Sequence, residues 1–281
     1  MTFGINTFLF TSPFTNRSTR LFRRFKRWGF DGVEIAVEDP AHFDPVHVRR
    51  QLDAAGLVCT SVCACFPPER DLRGTRRQQL ATVHYMHQLL KIAGALGTRV
   101  IAGPLYSATG RAEAVAKRDY DRQWKTVVGH LKTICSEADD RGKTICVEPL
   151  NRFETDFINT VDQALELIDD VGSPALKLLL DTFHMNIEEK DIGAAIRRAG
   201  DCVGHIHASA TDRGTPGNDH LDWVSLARAL RGVRYDGAVV IESFTTDVKV
   251  IARAAAIWRK IEPAREGIAR SGLEFLKKIL K

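Results

Sequence analysis

Residues 143–181, KTICVEPLNRFETDFINTVDQALELIDDVGSPALKLLLD, decide the fold of this chain. The stretch begins with a short apolar run, continues through a helical pattern at residues 161–172 and ends in a second apolar run. Strand, helix and strand in this order predict two parallel strands joined by a right-handed crossover. The two runs close on Glu148 and Asp181, so both carboxylates are expected at the same edge of the sheet.

The same alternation repeats along the whole chain. Six further short apolar runs are separated by longer helical patterns, several of which end in Gly, a common helix stop. These predicted strands are FGINTF (3–8), GVEIAV (32–37), LVCTSVCA (57–64), RVIAGP (99–104), VGHIHAS (203–209) and AVVIESF (238–244). Eight such units in 281 residues favour a closed (β/α)8 barrel, the TIM barrel, over an open α/β sheet. No GxGxxG or GxxxxGK[ST] motif supports a nucleotide-binding sheet.

We expect a single domain over residues 1–281 that ends in a helical extension over about residues 259–281. The extension contains Pro263 and Gly267, and both are expected to interrupt its helix. It is expected to pack across the barrel or against a second subunit. We therefore predict a homodimer or homotetramer.

Charge and apolar patterning exclude several partners. The net charge is only +5, and the basic run RLFRRFKR (20–27) repeats its apolar residues at helical spacing. We interpret this run as an amphipathic helix with a solvated face rather than a phosphate-binding stripe, and we expect no nucleic-acid partner. No stretch reaches the roughly 18 apolar residues of a membrane span. The six cysteines form no CxxC pair and the N-terminus lacks a basic signal region, which together favour the cytoplasm.

Four metal-competent residues close the last four predicted strands: Glu148, Asp181, His207 and Glu242. His205 lies two positions before His207 on the same side of its strand, and we expect it one layer deeper. A single acid at a strand end is commonly a helix cap or an ion-pair partner. Three carboxylates at one rim repel each other unless a cation lies among them, so the set predicts one divalent metal site.

Two of these residues also suit proton transfer. Glu148 and Glu242 would face each other across the barrel mouth, where a metal ion polarises a substrate carbonyl and acidifies the neighbouring C–H. One glutamate removes the proton and the other returns one from the opposite face, which inverts the carbon. Glu154, His184 and Arg213 follow in loops that reach the same mouth.

The segments around these residues resemble the D-tagatose 3-epimerase and D-allulose (psicose) 3-epimerase family. That family is part of the sugar isomerase/epimerase branch of the xylose-isomerase-like barrels. The resemblance covers nearly the whole chain. It is carried by the segments GFDGVEIAVEDP, GTRVIAGP, VEPLNRFET, LLLDTFHMNIEE, HIHASATDRGTPGNDHLDW and VVIESF.

The resemblance implies one divalent ion, most often manganese with cobalt or magnesium as alternatives, on the four strand-end residues. It implies that Glu148 and Glu242 form the acid/base pair that epimerises a free ketose at C3 through an enediolate. D-Tagatose, D-fructose, D-allulose and L-ribulose are substrates of this type.

The resemblance also implies residues that bind the sugar. Glu154, His184 and Arg213 would hold its hydroxyls and its O1–O2 end. The distal part of the sugar is expected against four residues of the first and fourth loops, namely Phe8, Phe10, Leu105 and Tyr106.

Other reactions remain open at this site. An aldose–ketose isomerase or a hydroxypyruvate-type isomerase would use the same metal and glutamates but move a proton between C1 and C2. A cyclic-polyol dehydratase and a non-catalytic sugar-binding protein are further alternatives. A trinuclear zinc endonuclease needs additional histidines, and the segments ACFPPERD, AGPLY and Asp212-Arg213-Gly214 do not supply them.

Overall fold

The computed structural model describes residues 1–281 and contains a closed barrel of eight parallel strands in chain order. This confirms the predicted (β/α)8 barrel. The strands are β1 (Thr2–Asn6), β2 (Gly32–Ala36), β3 (Val58–Cys63), β4 (Val100–Gly103), β5 (Thr144–Val147), β6 (Leu176–Asp181), β7 (Val203–Ala208) and β8 (Ala238–Ile241).

Ten α-helices surround the barrel or cover its ends. They are α1 (Phe22–Trp28), α2 (Pro45–Ala55), α3 (Arg76–Leu96), α4 (Lys117–Asp140), α5 (Val161–Val171), α6 (Thr182–Glu188), α7 (Ile192–Ala199), α8 (Trp223–Gly232), α9 (Lys249–Ala254) and α10 (Arg265–Leu280). None of them combines the length and hydrophobicity needed to cross a lipid bilayer.

Local sequence explains the ends of α5, the helix that connects β5 and β6. The Thr160 side chain accepts a hydrogen bond from the Gln163 backbone N–H, and the Gln163 side chain returns the contact to the Thr160 N–H. This capping box satisfies two backbone donors at the start of the helix. Gly172 ends it with φ of 63°, a left-handed conformation that costs glycine little.

The basic run of the first helix has a buried side and a solvated side. Phe22 and Phe25 are buried in the main hydrophobic core, whereas Arg23, Lys26 and Arg27 are exposed. The spacing of three residues between the two phenylalanines places them on one face of the helix. The structure therefore confirms the amphipathic interpretation of this segment.

The C-terminal extension packs across the barrel. Helix α10 contacts α8, β1 and β8, and buries Ile268, Leu273 and Leu276. The extension is helical only from residue 265, so Pro263 lies before the helix and does not interrupt it. The expectation for Gly267 was wrong, because α10 continues through it. One glycine in an exposed first turn costs roughly 1 kcal/mol, which the buried leucine face offsets.

Strand register arranges the barrel interior in rows. Asn6 of β1 is paired with Glu34 of β2, and Glu34 is paired with Ser61 of β3. Asp181 of β6 is paired with His207 of β7. Partners in adjacent parallel strands point to the same face, so each row brings polar side chains together inside the barrel.

Candidate active site

The four strand-end residues converge at the carboxyl end of the barrel. Glu148, Asp181, His207 and Glu242 are all buried, and their ligand atoms lie within 4.8 Å of one another. The two glutamates stand one residue beyond β5 and β8. Interstrand hydrogen bonding still holds them, from Glu148 N–H to the Gly103 carbonyl (3.1 Å) and from Glu242 N–H to the Ala208 carbonyl (3.2 Å).

Asp181 combines a helix cap with a place in the cluster. Its Oδ1 accepts a hydrogen bond of 2.7 Å from the Phe183 N–H and so caps α6. Its Oδ2 faces Nη1 of Arg213 at 2.5 Å. Asp181 is therefore a helix cap through one oxygen and an ion-pair partner within the cluster through the other.

His207 lies between the cluster and a deeper carboxylate. Its Nδ1 is 3.4 Å from Glu242 Oε2 and 3.9 Å from Glu148 Oε1. Its Nε2 is 2.9 Å from Oε1 of Glu34. His205, one layer deeper as expected, places its Nε2 2.8 Å from the other oxygen of Glu34. His207 thus presents one ring nitrogen to the cluster and the other to Glu34.

Arg213 supplies the positive side chain of the cluster. Its guanidinium is buried, lies 3.3 Å from Glu242 Oε2, and places Nη2 2.9 Å from His184 Nε2. The rings of Phe183 and Phe244 lie 4.0 and 4.9 Å from it. Ion pairing and aromatic stacking together fix this side chain, since the flat guanidinium suits both contacts.

Burial and mutual charge move the pKa values of the cluster apart. Burial, followed by repulsion from Glu242, raises the pKa of Glu148 well above its ordinary value. Burial also raises the pKa of Asp181, to about 6, although Arg213 opposes this. Burial alone would raise the pKa of Glu242, but the charges of His207 and Arg213 bring it below the ordinary value. Within one site, the pKa of Glu148 is thus raised and the pKa of Glu242 is lowered.

The two histidines near the cluster also differ. Burial lowers the pKa of His207, but Glu242 and Glu34 more than reverse this and hold it well above the ordinary value. Burial and the charge of Arg213 hold the pKa of His184 well below its ordinary value. His184 is therefore neutral, and its Nδ1 accepts a hydrogen bond of 3.0 Å from the Asn151 N–H. The Asn151 side chain donates to Glu154 Oε1 at 2.8 Å, so Asn151 links His184 of α6 to Glu154 of the loop after β5.

A cavity of about 110 Å³ opens above the cluster. Its polar wall is formed by loop and strand-end residues, and its apolar wall by the first loop, the loop after β8 and α9. It is lined by Phe8, Cys63, Ala64, Cys65, Pro104, Thr109, Glu148, Leu150, Glu154, His184, Arg213, Glu242, Phe244, Ile251, Ala254 and Ala255. Phe8, Glu154, His184 and Arg213 therefore lie at the cavity to which the sequence assigned them.

Three residues expected at the distal pocket lie elsewhere. Leu105 and Tyr106 are fully buried in the core, and Phe10 packs against Phe25 and Trp28. The Tyr106 O–H donates to the carbonyl oxygen of Glu148 at 2.8 Å, so this residue supports the glutamate from behind. The sequence pattern placed them in the right loops but could not show that they face the core.

Sequence reasoning missed a polar layer beneath the cluster. Glu34 is fully buried in the middle of β2, with Asn6 and Ser61 beside it on the neighbouring strands. A signal for it existed, because Glu34 is a charged residue between Val33 and Ile35 in an otherwise apolar strand. Buried charges of this kind are rare unless they are paired.

The four strand-end residues fit a divalent metal ion. Glu148 Oε1 and His207 Nδ1 are buried without any hydrogen-bond partner, and both face the centre of the cluster. An unpaired buried acceptor costs about 1–3 kcal/mol unless something binds it. Three carboxylates and one imidazole form a donor set suited to hard and borderline divalent ions.

Residues 22–279 match the family described as Xylose isomerase-like TIM barrel. The chain belongs to this family, in its ketose 3-epimerase branch. A probable ketose 3-epimerase of Synechocystis sp. is 37% identical, over 98% of this chain and 95% of the relative. An L-ribulose 3-epimerase of Mesorhizobium japonicum is 30% identical, over 97% and 92%.

Solved structures of the branch share the complete fold. A D-allulose 3-epimerase from Methylomonas sp. in complex with D-allulose matches with a TM-score of 0.92 at 26% identity, over 99% of this chain and 97% of that chain. In the present chain, the four residues of the cluster lie on β5–β8 or directly after these strands, and the apolar side chains of the cavity include those of the first loop, the loop after β8 and α9.

Proposed function

We propose that this protein is a metal-dependent epimerase that inverts C3 of free ketoses, with Glu148 and Glu242 as its acid/base pair. D-Tagatose, D-fructose, D-allulose and L-ribulose are the substrate type, which the names of relatives and the sugars in related structures support. The observation that carries the proposal is the placement of two buried glutamates, from β5 and β8, in one cluster beneath one cavity. Inversion needs one proton-transfer group on each face of the carbon.

Glu148, Asp181, His207 and Glu242 would hold one ion, for which we propose Mn²⁺, with Co²⁺ or Mg²⁺ as alternatives. When bound, the ion would polarise the ketose carbonyl and stabilise the negative charge of the enediolate. A carboxylate that uses one oxygen for a metal can still exchange a proton through the other.

The two glutamates divide the proton transfers. One takes the C3 proton as the base, and the other delivers a proton to the opposite face. Because the reaction is reversible, each residue is the base for one epimer and the acid for the other.

Glu154, His184 and Arg213 would bind the hydroxyls and the O1–O2 end of the ketose. All three line the cavity, and neutral His184 and cationic Arg213 offer polar nitrogens beside the cluster. Phe8 would contact the distal part of the sugar, together with Phe244 and Ile251 of the apolar wall.

The charges of the cavity favour a free sugar over a sugar phosphate. Arg213 is the one cationic side chain among the lining residues, and it is already paired with Asp181 and Glu242. A phosphate dianion would meet three carboxylates and no free cation. Phosphate recognition ordinarily uses free arginine or lysine side chains or backbone N–H groups.

Incubation with D-tagatose, D-fructose and L-ribulose in D₂O, followed by NMR, tests the reaction. With Mn²⁺-loaded protein we expect deuterium at C3 and accumulation of the C3 epimer. Deuterium at C1 or C2 together with aldose formation would instead assign the site to an aldose–ketose or hydroxypyruvate-type isomerase. No exchange in any of these sugars would refute the proposed reaction.

We also propose that the protein forms a homodimer or homotetramer. Exposed apolar side chains in the segments that follow β5 and β8 support this, because Phe153, Val250 of α9 and Trp258 are 76%, 63% and 76% exposed. Native mass spectrometry of the purified protein would measure the mass of the assembly. A monomer at micromolar concentration would contradict the proposal.

A further inference from the structure

Glu34 is a buried carboxylate that lies outside the cavity. It occupies the middle of β2, is 0% exposed and does not line the cavity above the cluster. A buried ionised carboxylate costs several kcal/mol unless donors surround it, so its neighbours must account for its presence.

Four donors surround the two oxygens of Glu34. Oε1 is 2.7 Å from Asn6 Nδ2 and 2.9 Å from His207 Nε2. Oε2 is 2.6 Å from Ser61 Oγ and 2.8 Å from His205 Nε2. Three of these contacts are hydrogen bonds, from Asn6, Ser61 and His205, and together they fix the orientation of the carboxylate. The contact to His207 is a close ion pair rather than a linear hydrogen bond.

This arrangement determines which nitrogen of His207 is free. A carboxylate oxygen 2.9 Å from Nε2 requires the proton on Nε2, since two acceptors cannot share that distance favourably. Nδ1 is buried and unpartnered toward Glu242 and Glu148, and in the neutral imidazole that binds a metal it would present its lone pair there. A metal-binding histidine needs this protonation pattern, and an outer carboxylate commonly supplies it.

The same layer also holds Glu242. Asn6 donates from its Nδ2 both to Glu34 Oε1 and, at 3.1 Å, to Glu242 Oε1. The second oxygen of Glu242 is thereby directed toward His207 Nδ1 and Arg213. Glu34 is therefore linked to an expected imidazole ligand directly and to an expected carboxylate ligand through one amide.

We propose that Glu34 is the positioning residue of the metal centre: it holds the proton on His207 Nε2 and, through Asn6, the rotamer of Glu242. The proposal rests on the proposed function, because it assumes that the cluster binds a divalent ion. Glu34 lies outside the four-residue cluster and does not line the cavity. An alternative is that Glu34 only stabilises the fold, and the experiment must separate the two roles.

The test is the affinity of the protein for Mn²⁺, measured by calorimetry. Loss of an outer partner of a metal-binding histidine commonly weakens metal binding or activity about 10- to 100-fold. We expect a loss of that size in Glu34→Gln, together with a lower kcat at subsaturating Mn²⁺ that added Mn²⁺ partly restores. Glu34→Asp keeps the charge but withdraws the carboxylate from His207, and it provides the same comparison if Glu34→Gln does not fold.

Ser61→Ala is the matched control. It removes a donor from the oxygen of Glu34 that faces away from His207, so it disturbs the same buried carboxylate without touching the His207 contact. We expect a loss of thermal stability and a much smaller change in Mn²⁺ affinity than in Glu34→Gln. Equal losses of Mn²⁺ affinity in both variants would reduce Glu34 to a structural role and overturn the proposal.

Histidine ¹⁵N NMR of the protein loaded with diamagnetic Zn²⁺ reports the protonation pattern directly. The His207 signals are identified by their loss in His207→Gln. We expect a proton on Nε2 and none on Nδ1 in the wild type, and an altered pattern in Glu34→Gln. Unchanged Mn²⁺ affinity and an unchanged His207 pattern in folded Glu34→Gln would refute the positioning role even if the wild type epimerises ketoses. Tight Mn²⁺ binding without any epimerisation would count against the proposed function alone.

Discussion

The two halves of the barrel contribute different chemistry to one site. Strands β5–β8 place four buried, metal-competent side chains at their carboxyl ends. Strands β1–β3 instead contribute Asn6, Glu34 and Ser61, a row of polar side chains one layer deeper. Both halves line the cavity, but its carboxylates, its histidine and its arginine all come from the second half. The first half contacts the second through His207, His205 and Glu242.

This difference shows how a symmetric fold supports an asymmetric site. Every strand of the barrel can present a side chain at its end, yet three carboxylates at one rim need both a counter-charge and a fixed orientation. Arg213 supplies the counter-charge, and the deeper row fixes the orientation. Substitutions in the two halves should therefore damage different properties of the protein.

The largest effect is expected from the glutamates of the second half. Glu148→Gln and Glu242→Gln should each lower the rate of C3 exchange in D₂O by about 10²- to 10⁴-fold or more, since each removes a proton-transfer group and a charge from the cluster. Glu166→Gln, on the exposed side of α5, is the matched control and should leave the rate unchanged. Substantial turnover in either active-site variant would exclude the two-base mechanism.

An ion pair between the two halves of the barrel should contribute to the stability of the fold rather than to the reaction. Arg73, in the loop after β3, binds both oxygens of Asp156, in the loop after β5, at 2.6 and 3.0 Å, and its side chain is 0% exposed. Arg73→Ala leaves the half-buried carboxylate of Asp156 unpaired and removes a donor from Gln123 and Ser107, so it should lower the free energy of unfolding by about 3 kcal/mol in urea titrations.

An exposed ion pair provides the control for Arg73. Lys117 pairs with Asp121 one turn along α4, with 87% of the lysine side chain exposed. Lys117→Ala should change the unfolding free energy by only about 0–1 kcal/mol. Similar losses in both variants would show that the link between the halves carries no special stability.

The affinity for Mn²⁺ should depend on pH because of two titratable residues in the second half, Glu148 and His207. The pKa values of Glu148 and His207 are raised above their ordinary values, whereas metal ligands must be deprotonated, so an ion competes with protons for both groups. Binding should therefore release protons, and Mn²⁺ affinity should increase with pH by about tenfold per unit for each proton released. Calorimetry in buffers of different ionisation enthalpy counts these protons. An affinity that is constant between pH 6 and about 8 would contradict this charge assignment.

The smallest effect should come from Tyr106, which supports the second half from the core. Tyr106→Phe removes the hydrogen bonds to the carbonyls of Glu148 and Ile158 and should cost about 0.5–1.5 kcal/mol of stability. The relative KM values of different ketoses should stay the same. Tyr120→Phe, which loses a comparable bond to the Phe157 carbonyl, is the control. A selective change in KM among ketoses would place Tyr106 at the substrate after all.

The sequence was most informative where a local pattern carried the signal. Alternating apolar runs and helical patterns predicted all eight strands in the correct order, with boundaries within a few residues of the structure. The strand-end rule then placed Glu148, Asp181, His207 and Glu242 at one rim, because parallel strands of a barrel all end on the same face. These predictions depend only on the spacing of apolar residues along the chain and on the common direction of the strands.

The failed predictions of substrate-binding residues depended on side-chain direction within loops, and the failed prediction for Gly267 depended on helix propensity. Leu105 and Tyr106 occupy the loop named for them but point into the core, and Gly267 continues a helix that it was expected to interrupt. A loop has no fixed side-chain period, so its sequence does not reveal which residues face a cavity. Burial of the apolar face of α10 likewise outweighs the low helix propensity of one glycine.

By itself, the sequence determined the barrel, the direction of its strands and the four metal-competent residues at their ends. Only the tertiary structure decided which groups surround them: Glu34 below His207, Asn6 between Glu34 and Glu242, and Arg213 among the carboxylates. The physical reason is distance along the chain. Glu34 and His207 are separated by more than half the sequence and meet only when the barrel closes, and closure depends on the register of all eight strands.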